Sequence, residues 1–336
     1  MAAQSLVNID DRSQVGEARR AAADLTRVLG FDATAAGNVA LAITEAATNI
    51  LKHAQRGKLL LRGLERGGIG GLELLALDQG PGIANIGSSL RDGHSTAGSM
   101  GTGLGALSRS SDSMDVYTQP GKGTALRLEF WAGPVAKPGR VPELGAVSIA
   151  KSGEVACGDA WALEPDGADY SLLVVDGLGH GTDAARAARA ATEVLAKHPG
   201  SAPSEVLHLA HLALAGTRGG AGAVARFSIL QPQGVFAGVG NIAARVESPA
   251  SRRQLVSHNG TLGHVLRKVQ EFPIDFPSDA VLILHSDGLS GHWTMADYPG
   301  LIAKHSALIA GVLYRDHDRG RDDVTVVVIK RGSGTW

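Results

Sequence analysis

The sequence predicts a two-domain α/β protein in which strand-length apolar runs alternate with amphipathic helices. Three observations predict it. A chain of 336 residues is long enough to bury two full cores. Runs with the strand period recur on both sides of segments with the helical period, which suggests sheets sandwiched between helices. Between them lies Gly133-Pro-Val-Ala-Lys-Pro-Gly-Arg-Val-Pro142, with three prolines in ten residues. That composition reads as a linker over 133–142, separating a domain at 1–132 from one at 143–336.

In the first domain, residues 12–29 read as an amphipathic helix closed by Gly30, and 33–54 as a second helix. Strands at 59–64 and 72–77 flank the Gly-rich hairpin Arg66-Gly-Gly-Ile-Gly-Gly71. A Gly- and Ser-rich loop spans 80–100, then a short helix and strands at 114–118 and 124–130. Beyond the linker, strands are expected at 144–150, 154–163 and 170–176, then helices at 183–197 and 204–215. Further strands fall at 223–230, 234–239, 243–247 and 281–286, with a helix at 301–314 and a last strand at 324–329.

Composition narrows the function classes. Hydrophobic residues make up 44% and charged residues 19%, which fits a globular chain. Lys+Arg 32 against Asp+Glu 33 gives a formal net charge of -1, so no basic footprint points to nucleic acid. Cys157 is the single cysteine, which excludes an internal disulfide framework and a Cys-rich zinc site. No apolar run reaches the roughly 20 residues that span a bilayer. Residues 1–10 lack a basic stretch followed by an apolar one, so no secretory signal is expected. A cytoplasmic protein without membrane partners is the expectation.

Two sets of residues carry chemistry. In the first domain, Glu45, Asn49 and His53 stand at i, i+4 and i+8, which places them on one helical face with a drift of about 40° per step. A carboxylate and a carboxamide stacked this way can serve as general base and metal-ligand oxygen beside a nucleotide. Asp78-Gln-Gly80-Pro-Gly82 follows an apolar strand, where the carboxylate can accept from an adenine amino group and the glycines permit close approach. Gly101-Thr-Gly103-Leu-Gly105 opens a helix whose free N–H groups favour phosphate. Each piece alone reads equally as a polar stripe or a turn.

Their order and spacing together resemble the Bergerat-fold (GHKL) ATPases, and within them the RsbT-like anti-sigma serine/threonine kinases. Met100-Gly-Thr-Gly-Leu-Gly-Ala-Leu-Ser-Arg-Ser-Ser-Asp112 and Gly121-Lys-Gly-Thr124 carry that likeness. The resemblance implies an α/β sandwich with helices on one face of a mixed sheet. It implies ATP as cofactor, with Glu45 as general base toward a protein hydroxyl and Asn49 as a Mg²⁺ ligand. Asp78 and Thr124 would lie at adenine beside Gly80 and Gly82, and Gly101, Gly103 and Gly105 at the phosphates, under a short lid at 88–99. For His53 a structural place on the helix face is expected.

The second set is acidic. Asp176 ends the apolar run Ser-Leu-Leu-Val-Val-Asp176-Gly-Leu-Gly-His-Gly181, and Asp287 ends Val-Leu-Ile-Leu-His-Ser-Asp287-Gly. Asp322-Asp323 precedes the final strand, and Asp159 follows Gly158. Any one of these could be a turn former. Carboxylates converging from strand ends would make an oxygen-rich site suited to Mg²⁺ or Mn²⁺. Cys157 is expected to be a buried, unreactive strand residue; His180 and His285 flank the acidic motifs and could act as acids.

These motifs resemble the PPM-type serine/threonine phosphatases in their SpoIIE form, and within them the RsbX-like proteins. Cys157-Gly-Asp159-Ala, Val175-Asp-Gly-Leu-Gly-His-Gly181, Thr217-Arg-Gly-Gly-Ala-Gly222 and Gly238-Val-Gly-Asn-Ile242 carry the likeness. It implies an α-β-β-α sandwich and metal ligation by Asp159, Asp176, Asp287, Asp322 and the Gly177 carbonyl, with Asp176 and Asp287 central to catalysis. Larger members grip the phosphate with an Arg that has no clear match here. Asp322 and Asp323 are not separable at this level.

Both likenesses together imply a switch that phosphorylates and dephosphorylates Ser or Thr on a STAS-domain antagonist protein, with a downstream output protein as a further partner of the kinase domain. The alternative is an ATP-binding module that sequesters a partner and controls the attached phosphatase without turnover.

Overall fold

The computed structural model describes residues 4–86, 103–137 and 139–332, which divide into two units, Met1–Lys137 and Pro138–Trp336. Among the described residues, no helix is long and apolar enough to cross a membrane.

In the first unit, β1 (Ser5–Ile9) leads into α1 (Arg12–Val28) and α2 (Ala33–His53). β2 (Gly57–Arg66), β3 (Ile69–Asp78), α3 (Leu104–Ser110), β4 (Ser113–Gln119) and β5 (Gly123–Trp131) follow. Asp11 starts α1 with a capping box: its carboxylate accepts the Ser13 N–H at 2.6 Å, and Gln14 accepts the Asp11 N–H at 2.9 Å. Gly30, at φ +77°, turns the chain out of the helix. Asp32 caps α2 through the Ala35 N–H at 2.7 Å.

Val39, Ala42, Ile43, Ala46, Ala47 and Ile50 recur every three or four positions and are buried, so one stripe of α2 faces the sheet. The sheet runs in the order β1-β2-β3-β5-β4. Leu59, Leu61, Leu72, Leu74, Leu126 and Leu128 alternate along its strands and build the core with α1 and α2. The intervening positions put Glu73 on the opposite face, where it accepts from Arg62 at 2.6 Å and Arg127 at 2.7 Å.

The α/β class holds, and one detail of it changes. Every strand pair in this sheet is antiparallel, where a mixed sheet is expected. The connections explain this: β2 to β3 and β4 to β5 are tight hairpins, and a pair of helices between β1 and β2 returns the chain antiparallel.

The second unit stacks two antiparallel sheets, β13-β10-β9-β8-β7 and β12-β11-β14-β15-β6. Its strands are β6 (Glu143–Ile149), β7 (Asp159–Asp166), β8 (Asp169–Gly177), β9 (Gly220–Ser228), β10 (Gln233–Val239), β11 (Ala243–Glu247), β12 (Arg252–Leu255), β13 (Phe272–Asp275), β14 (Val281–His285) and β15 (Val324–Lys330). Leu172, Val174 and Phe227 of one sheet meet Leu282, Leu284 and Val327 of the other in the central core. The alternate residues Leu173 and Val175 point outward against α4 (Thr182–Lys197) and α5 (Pro203–Ala213). On the far side, α6 (Ser306–His317) packs on β6 and β15. Helices, sheet, sheet and helix make the expected α-β-β-α order.

Three expectations for elements need correcting. The strand expected at 154–163 begins only at Asp159, because residues 151–158 form a turn held by Asp323, whose Oδ1 accepts the Lys151 N–H at 2.8 Å. The helix expected over 301–314 is broken: a single 3-10 turn, Leu301–Ala303, is followed by an extended Lys304. His305 then caps α6, its Nδ1 accepting the Ala307 N–H at 3.1 Å. The edge strands β1, β12 and β13 escape prediction because they are short and polar, or contain proline, and are set by pairing to a neighbour.

Candidate functional sites

The first site gathers at the end of β3. Asp78 closes that strand, and its Oδ1 accepts the Gly80 N–H at 2.8 Å and the Thr124 N–H at 3.2 Å. Gly82 takes φ +73°, and a Cβ there would fall 2.5 Å from the Gln119 carbonyl, so the turn after Asp78 lies tight against the β4–β5 hairpin. Glu45 and Asn49 stand half-buried on α2, beside the stripe that meets the sheet. The end of α2 reaches the same turn, since a Cβ on Gly80 would strike Ala54 at 2.7 Å. Gly103 is the N-cap of α3 and Gly105 is buried in its first turn. Gly101 and the lid at 88–99 lie outside the described residues. His53 is exposed in the last turn of α2.

Sequence reasoning gave no role to two residues of this site. Thr118 Oγ1 accepts the Ile83 N–H at 2.8 Å and lies 3.2 Å from Thr124 Oγ1. A lone Thr carries no signal until β4 pairs with β5, which sets Thr118 opposite Thr124. Gly123 is the other: a Cβ there would lie 2.0 Å from the Asp78 carbonyl.

The second site forms where four strands of the sandwich end together. Asp159 opens β7 directly opposite Asp176 near the end of β8. Asp287 lies just beyond β14, and Asp322-Asp323 just before β15. Ser286 ties the two sheets at this edge: its hydroxyl donates to Asp159 Oδ2 at 2.6 Å and accepts the Thr325 N–H at 2.9 Å. Gly177 donates its N–H to the Gly158 carbonyl at 3.1 Å, which binds the Asp176 loop to the segment before Asp159.

Electrostatics mark this cluster. Burial pushes the Asp159 carboxyl well above the ordinary carboxylate range, and the facing Asp176 adds to it. Burial, followed by Asp287, Asp322 and Asp323, raises Asp176 to about 7. Asp323 is also raised, chiefly by burial. Several carboxylates this close cannot all ionise without added positive charge, and an all-oxygen donor set suits hard divalent cations. The residues therefore fit Mg²⁺ or Mn²⁺. They ring the mouth without closing on one point: among the described residues, no three His, Cys, Asp or Glu side chains form a ready-made cation cage.

The structure separates neighbours that the sequence does not. Asp323 is buried and braces the 151–158 turn, whereas Asp322 is exposed, with Oδ1 accepting the Asp323 N–H at 2.9 Å. His180 stays at the surface, 2.6 Å from Glu154. His285 does not: it is buried, its Nδ1 lies 2.9 Å from the Ser286 carbonyl, and burial lowers it to about 4. A ring so enclosed and neutral belongs to the core, which corrects its reading as an acid. Burial raises the Cys157 thiol to about 12, so no thiolate nucleophile forms there. Arg218 lies beside the loop that follows Asp176. It stands 3.4 Å from Asp183 and close over Gly179, and the next residue, Gly219, accepts the Leu178 N–H at 3.0 Å.

Comparison with known proteins bears on both units. Residues 9–130 match the family described as the histidine kinase-like ATPase domain. The serine/threonine-protein kinase RsbT of Bacillus subtilis (strain 168) is 33% identical over 128 residues, covering 38% of this chain and 96% of that protein. The phosphoserine phosphatase RsbX of the same organism is 23% identical over 141 residues, covering 42% of this chain and 71% of that protein. A structure reported for the bacterial stressosome, a modular system adapted to control secondary messenger signalling, is similar with a TM-score of 0.52 at 29% identity. It covers 56% of this chain and 99% of its own. Crystalline RsbX in complex with magnesium gives a TM-score of 0.53 at 19% identity, covering 58% of this chain and 97% of its own, a likeness of fold. The chain thus belongs, through its first unit, to the RsbT family of serine/threonine kinases among the histidine kinase-like ATPases, and joins to that unit a domain similar to RsbX in sequence and fold.

Proposed function

We propose that this chain is a bifunctional signalling switch that adds and removes a phosphoryl group on Ser or Thr of a STAS-domain antagonist protein. The observation that carries the reading is the convergence of Asp159, Asp176, Asp287 and Asp322 at one end of the sandwich, in the same polypeptide as the kinase unit.

In the first unit, Asp78 and Thr124 would hold the adenine of ATP, with Gly80 and Gly82 allowing its approach. Gly101, Gly103 and Gly105 would lie along the phosphates, and Asn49 would take the Mg²⁺. Glu45 accepts the proton of the attacking protein hydroxyl. Thr118 keeps the Thr124 hydroxyl and the turn at Ile83 in register.

In the second unit, Asp159, Asp176, Asp287, Asp322 and the Gly177 carbonyl would hold Mg²⁺ or Mn²⁺. When bound, such ions would lower the pKa of an attacking water and steady the phosphoryl oxygens. Ser286 fixes the Asp159 carboxylate, and Asp323 fixes the 151–158 turn against β15. Arg218, beside Gly179 in the loop that follows Asp176, would serve as the cation for the substrate phosphate.

The test incubates the purified chain with a candidate STAS protein, ATP and Mn²⁺, and follows the phosphoprotein by mass. Glu45→Ala is expected to abolish phosphorylation and leave its removal intact. Asp176→Asn is expected to slow removal by at least about 100-fold. Unchanged rates in both variants contradict the proposal. Phosphorylation that persists in neither parent nor variant, with binding retained, favours the sequestering module.

A further inference from the structure

Asn241 lies in the turn that carries the chain from β10 in one sheet to β11 in the other. Its Nδ2 donates a hydrogen bond to Asp287 Oδ2 at 2.7 Å. The turn is held on both sides. Gly240 donates its N–H to the His258 carbonyl at 2.9 Å, and the Ile242 carbonyl accepts from Ser257 Oγ at 3.2 Å. β11 in turn pairs with β14, with Ala243 opposite His285. Asn241 therefore stands on a fixed platform two residues before β11, whose neighbour β14 leads to Asp287.

The backbone does not explain the choice of Asn. Among the described residues, Gln55 is the non-glycine residue with positive φ, so position 241 makes no left-handed demand that would favour Asn. Asn241 is also exposed, so packing does not select it. What an amide supplies here is a neutral donor to one oxygen of an exposed carboxylate. It fixes the rotation of Asp287 and leaves Oδ1 directed elsewhere, without adding a positive charge that would compete with a cation.

We infer that Asn241 is a positioning residue of the phosphatase site, orienting Asp287 for a divalent cation. The inference rests on the reading of Asp287 as a metal ligand. Groups that orient ligands through a hydrogen bond typically change metal affinity by about 10–100-fold.

The experiment titrates the full-length chain with Mn²⁺ alone, by calorimetry or by the loss of the free-ion EPR signal, and records thermal melts without metal. Asn241→Ala is expected to weaken Mn²⁺ binding by roughly 10–100-fold at an unchanged melting temperature, and Asn241→Gln, which keeps the amide, to recover part of the loss. Wild-type Mn²⁺ affinity in Asn241→Ala overturns the inference. So does an equal loss in both variants accompanied by a lower melting temperature, which would mark a turn residue only. Asp287→Asn separates the two levels: if it binds Mn²⁺ as the parent does, the ligand reading fails rather than the role of Asn241.

Discussion

Asp159 and Asp176 face each other across a strand pair, and among the described residues no Lys or Arg pairs with either. Such an arrangement costs stability unless a ligand repays it, because burial and like charge both oppose ionisation. Positive charge stands at the rim instead. Arg218 shares Asp183 with Arg186, at 3.4 and 3.5 Å, and its guanidinium is half exposed, so an incoming phosphate dianion can take it over from a carboxylate already served by another Arg. Charge-assisted hydrogen bonds contribute about 1.5–3 kcal/mol each. Arg218→Ala is therefore expected to raise KM for the phosphoprotein by roughly tenfold or more, with a smaller change in kcat, read from initial rates. An unchanged KM would remove Arg218 from the site.

At the scale of elements, two polar clasps hold the units together internally. Glu73 of β3 sits between Arg62 of β2 and Arg127 of β5, all three buried. Removing one partner of a buried pair leaves charge uncompensated, so Glu73→Ala is expected to destabilise the first unit by about 3–5 kcal/mol in denaturant unfolding. The second clasp is Glu143 on β6, which accepts the Ser306 N–H and hydroxyl, each at 2.8 Å, at the start of α6. Burial alone would raise its carboxyl, but His305, Lys330 and the two Ser306 donors outweigh that and hold it below the ordinary 4.5. A carboxyl lowered on folding stabilises above its unfolded value, and that contribution is lost as pH falls through the folded one. Glu143→Gln is thus expected to melt below the parent at neutral pH, the gap closing as pH falls from 4.5 downward. A gap that stays constant with pH would refute the charge interaction.

Much of both units was legible in the sequence, for reasons these elements make plain. The helical period and the closing Gly30 announce α1 and α2, and apolar runs of strand length announce the Leu-rich β2 and β3. The four acidic motifs were visible because each follows or precedes an apolar strand. Thr118 carried no signal, and Gly123, Arg218 and Asn241 lay inside motifs that carry a family likeness without receiving a role of their own. Each acts through a partner distant in sequence, and only strand pairing or a sheet-to-sheet turn brings that partner near. The break at Lys304 was hidden for the same reason: Glu143, far earlier in the chain, fixes Ser306 and so sets where α6 begins.

For the whole molecule, the consequence is control. A kinase and a phosphatase acting freely on one protein would only hydrolyse ATP, so the pairing makes sense if something selects one direction at a time. On the proposed function, placing both units in one chain would fix their ratio at one to one, and the phosphorylation level of a shared substrate would then depend on regulation rather than on relative abundance. The central claim, that one chain holds opposed chemistries, is tested by loading and unloading a single substrate with two variants. Asp176→Asn protein is incubated with a candidate STAS protein and ATP, and the intact mass of that protein is recorded. ATP is then removed, Glu45→Ala protein and Mn²⁺ are added, and the mass is recorded again. The account predicts the gain of one phosphoryl group in the first step and its loss in the second. A substrate gaining nothing with Asp176→Asn, or one that keeps its phosphoryl group with Glu45→Ala, would contradict it.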